Sequence, residues 1–206
     1  MCGRYQFSAA ENDDLRRIVR DVQRRCNNEL NFRIIDGDVA PSCRAPVLIA
    51  RNNRVIGDLQ TWGLRGPGGK LIINARAETV TQKSMFRRSI AARRCVIPAT
   101  AFYEWDTAHR PYLFSLPNSP VWLAGIYDCI EGTNCFVILT TAPNASVAPV
   151  HDRMPLTLLR EQIRPWLIDA EAALALLTCR PQSLNCRAKD GQIGLLDCIG
   201  NSSIIN

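Results

Sequence analysis

Cys95-Val96-Ile97-Pro98-Ala99-Thr100-Ala101-Phe102-Tyr103-Glu104-Trp105 reads as two buried strands separated by Thr100, because apolar, β-branched and aromatic residues run through it without polar alternation. Glu104 is the anomaly. A carboxylate flanked by Phe102, Tyr103 and Trp105 has neighbours that desolvate it, and desolvation raises a carboxyl pKa toward the range useful for general acid-base chemistry. A structural partner such as an Arg would lower it again, and strand alternation could turn the side chain outward. Toward the carboxyl terminus, a polar turn carries His109, which is predicted to be solvated. Strands at about 112–116, 121–127 and 135–141 follow and indicate an antiparallel, β-rich core. The last delivers Thr140-Thr141, after which Val150-His151-Asp152-Arg153-Met154-Pro155 forms a polar knot between apolar stretches. An imidazole there can shuttle protons at physiological pH if Asp152 or a backbone carbonyl orients it. Helical segments at about 158–168 and 169–178 follow, and residues 181–206 are expected to be an irregular tail.

Toward the amino terminus, a short helix at about 84–92 carries Arg87 and Arg88. Before it, Leu71-Ile72-Ile73-Asn74-Ala75-Arg76-Ala77-Glu78-Thr79 is an apolar strand that runs into polar groups. Asn74 and Arg76 are two apart, so on a strand they share a side, an amide beside a guanidinium, which suits a sugar-phosphate. A structural Asn with an Arg-Glu pair would give the same pattern. The loop Arg65-Gly66-Pro67-Gly68-Gly69-Lys70 lacks the Walker lysine-hydroxyl pair and the GxGxxG spacing, so it is not a phosphate cradle. Trp62, between a strand and that loop, is either core or a stacking face, and core is the commoner fate. Asn52-Asn53 turns the chain between two strands, one of which contains Val47-Leu48-Ile49-Ala50, and Pro41-Ser42 precedes that strand in a loop. Ser8-Ala9-Ala10-Glu11 matches a capping box, and Leu15, Ile18, Val19, Val22 and Cys26 follow at helical spacing, which predicts a helix from about 9 to 26 with its arginines on the solvated face.

The 206 residues, 47% hydrophobic, suffice for a buried core, and no linker or repeat divides them, so one domain over 1–206 is expected. No segment approaches the roughly 20 apolar residues of a membrane span, and the polar amino terminus is unlike a signal peptide. An intracellular, cytoplasmic protein with no membrane partner is expected. Nine cysteines without CxxC pairs indicate neither a disulfide framework nor a zinc ribbon, so most are expected to be reduced core residues and neither metal nor cofactor is expected. The net charge of +6 rests on 22 Arg against 3 Lys. That bias favours an acidic partner that Arg can grip bidentately, nucleic acid above all, although a scattered basic surface also produces it.

Met1-Cys2-Gly3-Arg4-Tyr5 carries the most distinctive chemistry. Removal of Met1, which a residue as small as Cys2 permits, would leave a thiol and an α-amine on adjacent carbons, with ordinary pKa values of about 8.5 and about 7.7–8.0. The amine can attack an aldehyde to form an imine, which the thiol then closes into a five-membered thiazolidine. Taken alone, Cys2 could equally be a small buried residue.

Those residues, with Trp62-Gly63, Ile73-Asn74-Ala75-Arg76-Ala77-Glu78-Thr79, Arg94-Cys95-Val96-Ile97-Pro98-Ala99, Phe102-Tyr103-Glu104-Trp105, Ala124-Gly125-Ile126-Tyr127, Leu139-Thr140-Thr141 and His151-Asp152-Arg153-Met154-Pro155, resemble in order the signature blocks of the SOS response-associated peptidase (SRAP) domain family over residues 2 to about 168. The resemblance implies an α+β fold with a curved, barrel-like, mainly antiparallel β core flanked by helices. It also implies a monomer that senses abasic sites in single-stranded DNA and forms a covalent thiazolidine crosslink. Carried over, Cys2 is the crosslinking nucleophile, Asn74 positions the abasic sugar, and Glu104 and His151 transfer protons. Arg4 and Arg76 contact the DNA backbone, with Arg87, Arg88 and Thr141 also on the DNA-binding side, Trp62 stacks or lines the groove, and Pro41 belongs to a loop near the DNA junction. Thr100 stands where many members have Gly or Ser, and Asn31 to Pro41 match loosely. Two alternatives remain: a cysteine peptidase or autopeptidase using Cys2, His151 and Glu104, and a non-covalent single-strand binder using Trp62 and the arginines.

Overall fold

The computed structural model describes residues 2–25 and 36–189. In chain order these form β1 (Tyr5–Phe7), α1 (Asp13–Arg25), β2 (Gly37–Val39), β3 (Arg44–Arg51), β4 (Arg54–Trp62), β5 (Leu64–Arg65), β6 (Leu71–Ile72), β7 (Asn74–Arg76) and α2 (Ser84–Ala92). Then come β8 (Arg94–Ala99), β9 (Ala101–Trp105), β10 (Pro111–Ser115), β11 (Val121–Ile130), β12 (Thr133–Thr141), β13 (Met154–Pro155), β14 (Thr157–Leu158), α3 (Ile163–Ile168), α4 (Ala170–Leu176) and β15 (Asn185–Ala188).

The α+β fold is built on a closed barrel. β12, β4, β3, β8 and β11 are hydrogen-bonded in that order, and β11 pairs again with β12 to complete the ring. All these pairings are antiparallel except the short parallel one between β4 and β12, where Phe136 faces Trp62. The barrel explains why β8 has no polar alternation: with both faces covered, all six of its residues are buried. Thr100 is the point at which the chain leaves the barrel. β9, the next strand, joins a second sheet of order β15-β10-β9-β1-β2, and Thr100 N donates to Gln6 O at 2.8 Å across the junction. Asn52 and Asn53 adopt the left-handed backbone, with φ of 50° and 60°, that turns β3 into β4. Gly63 has φ of 118°, and a Cβ there would lie 2.6 Å from Leu71 Cδ1, so glycine is needed where β4 hands over to the β5–β6 hairpin.

The amino-terminal helix is shorter than its hydrophobic pattern predicts. Ser8 makes no side-chain cap to the 3-10 turn Ala9–Glu11; Asn12 Oδ1 instead accepts Asp14 N at 2.8 Å, at the start of α1. Leu15, Ile18 and Val22 form its buried stripe, and Cys26 lies outside the described residues. The tail also differs from expectation. Asn185–Ala188 extends the second sheet by pairing with β10, a long-range pairing that its exposed residues do not announce. Among the described cysteines, Cys2 and Cys95 are buried, Cys43 and Cys135 half-buried, and Cys129, Cys179 and Cys186 exposed, so most are not core residues. Among the described residues no helix is long and apolar enough to cross a membrane.

Candidate active site

Four elements bring the candidate groups together where the second sheet meets the barrel. β1 pairs with β9 with Tyr5 opposite Phe102, and Tyr103 N donates to Arg4 O at 3.0 Å, so the strand leading to Cys2 runs back alongside Glu104. β7 lies parallel on β12, with Asn74 opposite Ile138, and Asn74 Nδ2 donates to Cys2 O at 2.8 Å. The amide orientation is thereby fixed. Asn74 Oδ1 is buried and has no hydrogen-bond partner, so an acceptor is held ready beside Cys2. The segment between β12 and β13 supplies His151, whose Nε2 lies 3.8 Å from Glu104 Oε2.

The electrostatics follow from burial. Strand alternation turns Phe102 and Glu104 inward, and loss of water pushes the Glu104 carboxyl up to about 7. Near neutral pH it can therefore both take and give a proton. Burial also holds the Cys2 thiol well above its ordinary value; nearby Glu104 adds to that rise, and the bond from Sγ to Arg4 O opposes it. His151 is held below its ordinary value, chiefly by burial. Its Nδ1 is held by Asp152 Oδ1 at 3.0 Å, Arg153 O at 3.2 Å and Arg153 N at 3.0 Å, which orients the ring so that Nε2 faces Glu104. At 3.8 Å the two groups are spaced to exchange a proton through a bound molecule rather than through a direct hydrogen bond.

Two residues expected to contact DNA lie inside the protein. Trp62 is fully buried: its Nε1 donates to Ile73 O at 2.9 Å, and its ring stacks on Phe136 with centroids 6.2 Å apart. No face is left for a base. Arg4 is likewise buried in the second sheet, with Nη1 3.5 Å from Asp38 Oδ2, so it is an internal cation rather than a surface one. By contrast, Arg76 is exposed next to buried Ala75, and Glu78 pairs with Arg153 at 2.8 and 2.9 Å instead of with Arg76. Arg87 and Arg88 are exposed on α2, Thr141 is half-buried at the end of β12, and Pro41 is half-buried in the turn before β3. His109 is exposed, as expected.

The support around these groups comes from residues distant in sequence. Tyr103 OH donates to Asp38 Oδ1 at 3.0 Å, which ties β9 to β2 behind Glu104. Arg153, besides holding Glu78, donates to Thr140 O at 2.7 Å and so fastens the His151 segment to β12. The Arg-Met-Pro that follows His151-Asp152 was the one available hint of that anchor. Among the described residues no cluster of His, Cys, Asp and Glu is arranged to hold a metal.

The family model described as SOS response associated peptidase (SRAP) matches residues 1–190. Abasic site processing protein YoaM of Bacillus subtilis is 38% identical over 148 residues, covering 63% of this chain and 64% of that protein, so the match spans just under two thirds of the relative. Abasic site processing protein YedK of Escherichia coli is 28% identical over 178 residues, covering 81% of this chain and 79% of its own. Among solved structures, a protein from Bordetella bronchiseptica superposes with a TM-score of 0.74 at 22% identity, over 91% of this chain and 99% of the other. A protein from Bacteroides thetaiotaomicron gives 0.69 at 23%, over 91% of each chain. At these identities the structural likeness is one of fold.

Proposed function

The chain belongs to the SOS response-associated peptidase family, and from that premise we propose that it processes abasic sites in single-stranded DNA, joining Cys2, once Met1 is removed, to the opened sugar as a thiazolidine. The observation that carries this proposal is the convergence of Cys2, Asn74, Glu104 and His151 from separate elements, with the carboxyl held near neutrality by burial.

The abasic sugar is mainly a closed hemiacetal. Glu104 takes the proton of its anomeric hydroxyl and returns one to the ring oxygen, which breaks the ring C–O bond and releases the aldehyde. The Cys2 amine adds to the aldehyde carbon. Asn74 Oδ1 accepts a hydrogen bond from the sugar, and protonated His151 gives a proton to the carbinolamine hydroxyl, which departs as water, and regains one from the iminium nitrogen. The thiol then adds to the imine carbon, and its proton goes to the imine nitrogen by way of Glu104. Amine, thiol and aldehyde thus become a thiazolidine and one water. Arg76, exposed on the strand that carries Asn74, grips the neighbouring phosphate, and Arg87, Arg88 and Thr141 are proposed as further DNA contacts.

A cysteine peptidase would need a resting thiolate beside a free imidazole lone pair. Here burial keeps the Cys2 thiol protonated, which favours attack by the amine first. The burial of Trp62 takes away the stacking platform of a non-covalent binder. Incubating the protein with abasic single-stranded DNA, followed by denaturing electrophoresis, tests the proposal. A shifted band that disappears with Cys2→Ala is expected, and a stable adduct of normal yield from Cys2→Ala rules the assignment out.

A further inference from the structure

We infer that residues 181–189 act as a strap that sets His151 against Glu104, with Asn144 and Ser146 as the positioning residues that fasten it; this rests on the proton-transfer roles proposed above for those two groups. Asn144 is 3% exposed, and a buried amide is costly unless it is hydrogen-bonded. Its Oδ1 accepts from Ser146 N at 3.0 Å, Ser146 Oγ at 2.6 Å and Val147 N at 3.1 Å, which shapes the turn. Its Nδ2 points away from that turn and donates to Gln182 O at 2.6 Å and Pro181 O at 3.4 Å. Ser146 Oγ also accepts from Leu184 N at 3.1 Å. Two side chains of one turn therefore hold three residues of a distant segment. A turn that only needed to order itself would require none of those bonds.

Each end of the strap leads to one of the two proton-transfer groups. On the turn side, His151 N donates to Val147 O at 3.0 Å, so the imidazole hangs from the turn that Asn144 closes. On the other side the chain runs from Leu184 straight into β15, where Ala188 pairs with Tyr112, and Tyr112 pairs with Glu104. Lys189 then donates from its backbone to Pro111 O at 2.9 Å and from Nζ to Tyr103 OH at 2.8 Å, one residue from Glu104. The strap thus links His151 to the Glu104 strand by a route that does not pass through the barrel. It fixes a spacing in which errors of about 1 Å are expensive.

Ser146→Ala removes the bond from Leu184, and Asn144→Asp keeps the acceptor oxygen while replacing the donor that meets Gln182. Each is made alone and together with His151→Gln, and single-turnover crosslinking to abasic single-stranded DNA is measured, beside NMR titration of the His151 imidazole in the single variants. Either change should slow crosslinking by roughly 5- to 50-fold, but by less than about 2-fold when His151 is already Gln, since a displaced imidazole has nothing further to lose. The His151 titration, held low by burial, should rise toward its ordinary value in both variants. Equal slowing with and without the imidazole, or an unmoved His151 titration, overturns the strap. If Asn144→Asp does not fold, Ser146→Ala carries both measurements. A parent protein that does not crosslink would defeat the proposed function, and the His151 titration would still decide the strap.

Discussion

Arg94 and Glu104 are both ionisable, both buried and only ten positions apart, yet their surroundings treat them in opposite ways. The Arg94 guanidinium donates to Trp166 O at 2.6 Å, Leu167 O at 3.3 Å, Ile90 O at 3.0 Å and Ala91 O at 2.6 Å. These are carbonyls in the last turns of α3 and α2, where a cation also meets the negative ends of two helix dipoles. Around Glu104, burial instead pushes the carboxyl up to about 7, His151 stands 3.8 Å off, and Asn74 Oδ1 has no partner. A buried charge held by four hydrogen bonds locks helices to a barrel. One left between two protonation states beside an unfilled acceptor is available for chemistry.

The contrast breaks most sharply if the two residues are exchanged in their effects. Glu104→Gln keeps size and hydrogen bonding but cannot transfer protons, so single-turnover crosslinking should slow by roughly 10²–10⁴-fold while the protein stays folded. Crosslinking at the parent rate would remove Glu104 from the chemistry. Arg94→Met should do the reverse. Urea unfolding should show a loss of about 3–5 kcal/mol as several buried carbonyls lose their donor, while the crosslinking rate per folded molecule is kept. A stable Arg94→Met protein with impaired chemistry would show that the two regions are not separate.

Stability against pH sharpens the comparison further. A carboxyl raised from 4.5 to about 7 on folding binds more protons in the native than in the unfolded state over that window. Its stabilising contribution is therefore complete below about 4.5 and is lost as pH rises through about 7. At about 1.36 kcal/mol per unit, the loss across the window is about 3 kcal/mol. Urea titrations from pH 4.5 to 8 should show this slope in the parent and its absence in Glu104→Gln, which should be the more stable protein at pH 8. Identical slopes would mean that burial does not raise the carboxyl. The smallest effect belongs to Arg76→Ala. Noncovalent binding to undamaged single strands should lose roughly 0.7 from the slope of log K against log salt, the share of one phosphate. An unchanged slope would make Arg76 structural.

How far the sequence foretold this molecule depended on the range of the interactions. The strand break at Thr100, the Asn52-Asn53 turn and the apolar stripe Leu15, Ile18 and Val22 are written in neighbouring residues and were readable there. Glu104 stood out because a carboxylate among aromatics is a local anomaly. The parallel pairing of β4 with β12, the addition of Asn185–Ala188 to the second sheet and the Asn144 bonds to residues 181 and 182 join distant segments, and no periodicity records them. Capping falls at Asn12 rather than Ser8, two competent residues between which the local pattern does not decide. Arg4 and Trp62 show the converse limit. Both have side chains suited to nucleic acid, and only the pairing of their strands reveals that they face inward.

The central claim concerns the bond made at Cys2, and intact-mass analysis of the purified crosslink tests it most directly when combined with borohydride and iodoacetamide treatment. An imine and a thiazolidine have the same mass, that of protein plus abasic DNA less one water, but they react differently. A thiazolidine gains no hydrogen from borohydride and leaves Cys2 without alkylation, and that is the expected result for the protein lacking Met1. Gain of a hydrogen pair with Cys2 alkylated, or a crosslink mapped to any other residue, would contradict it.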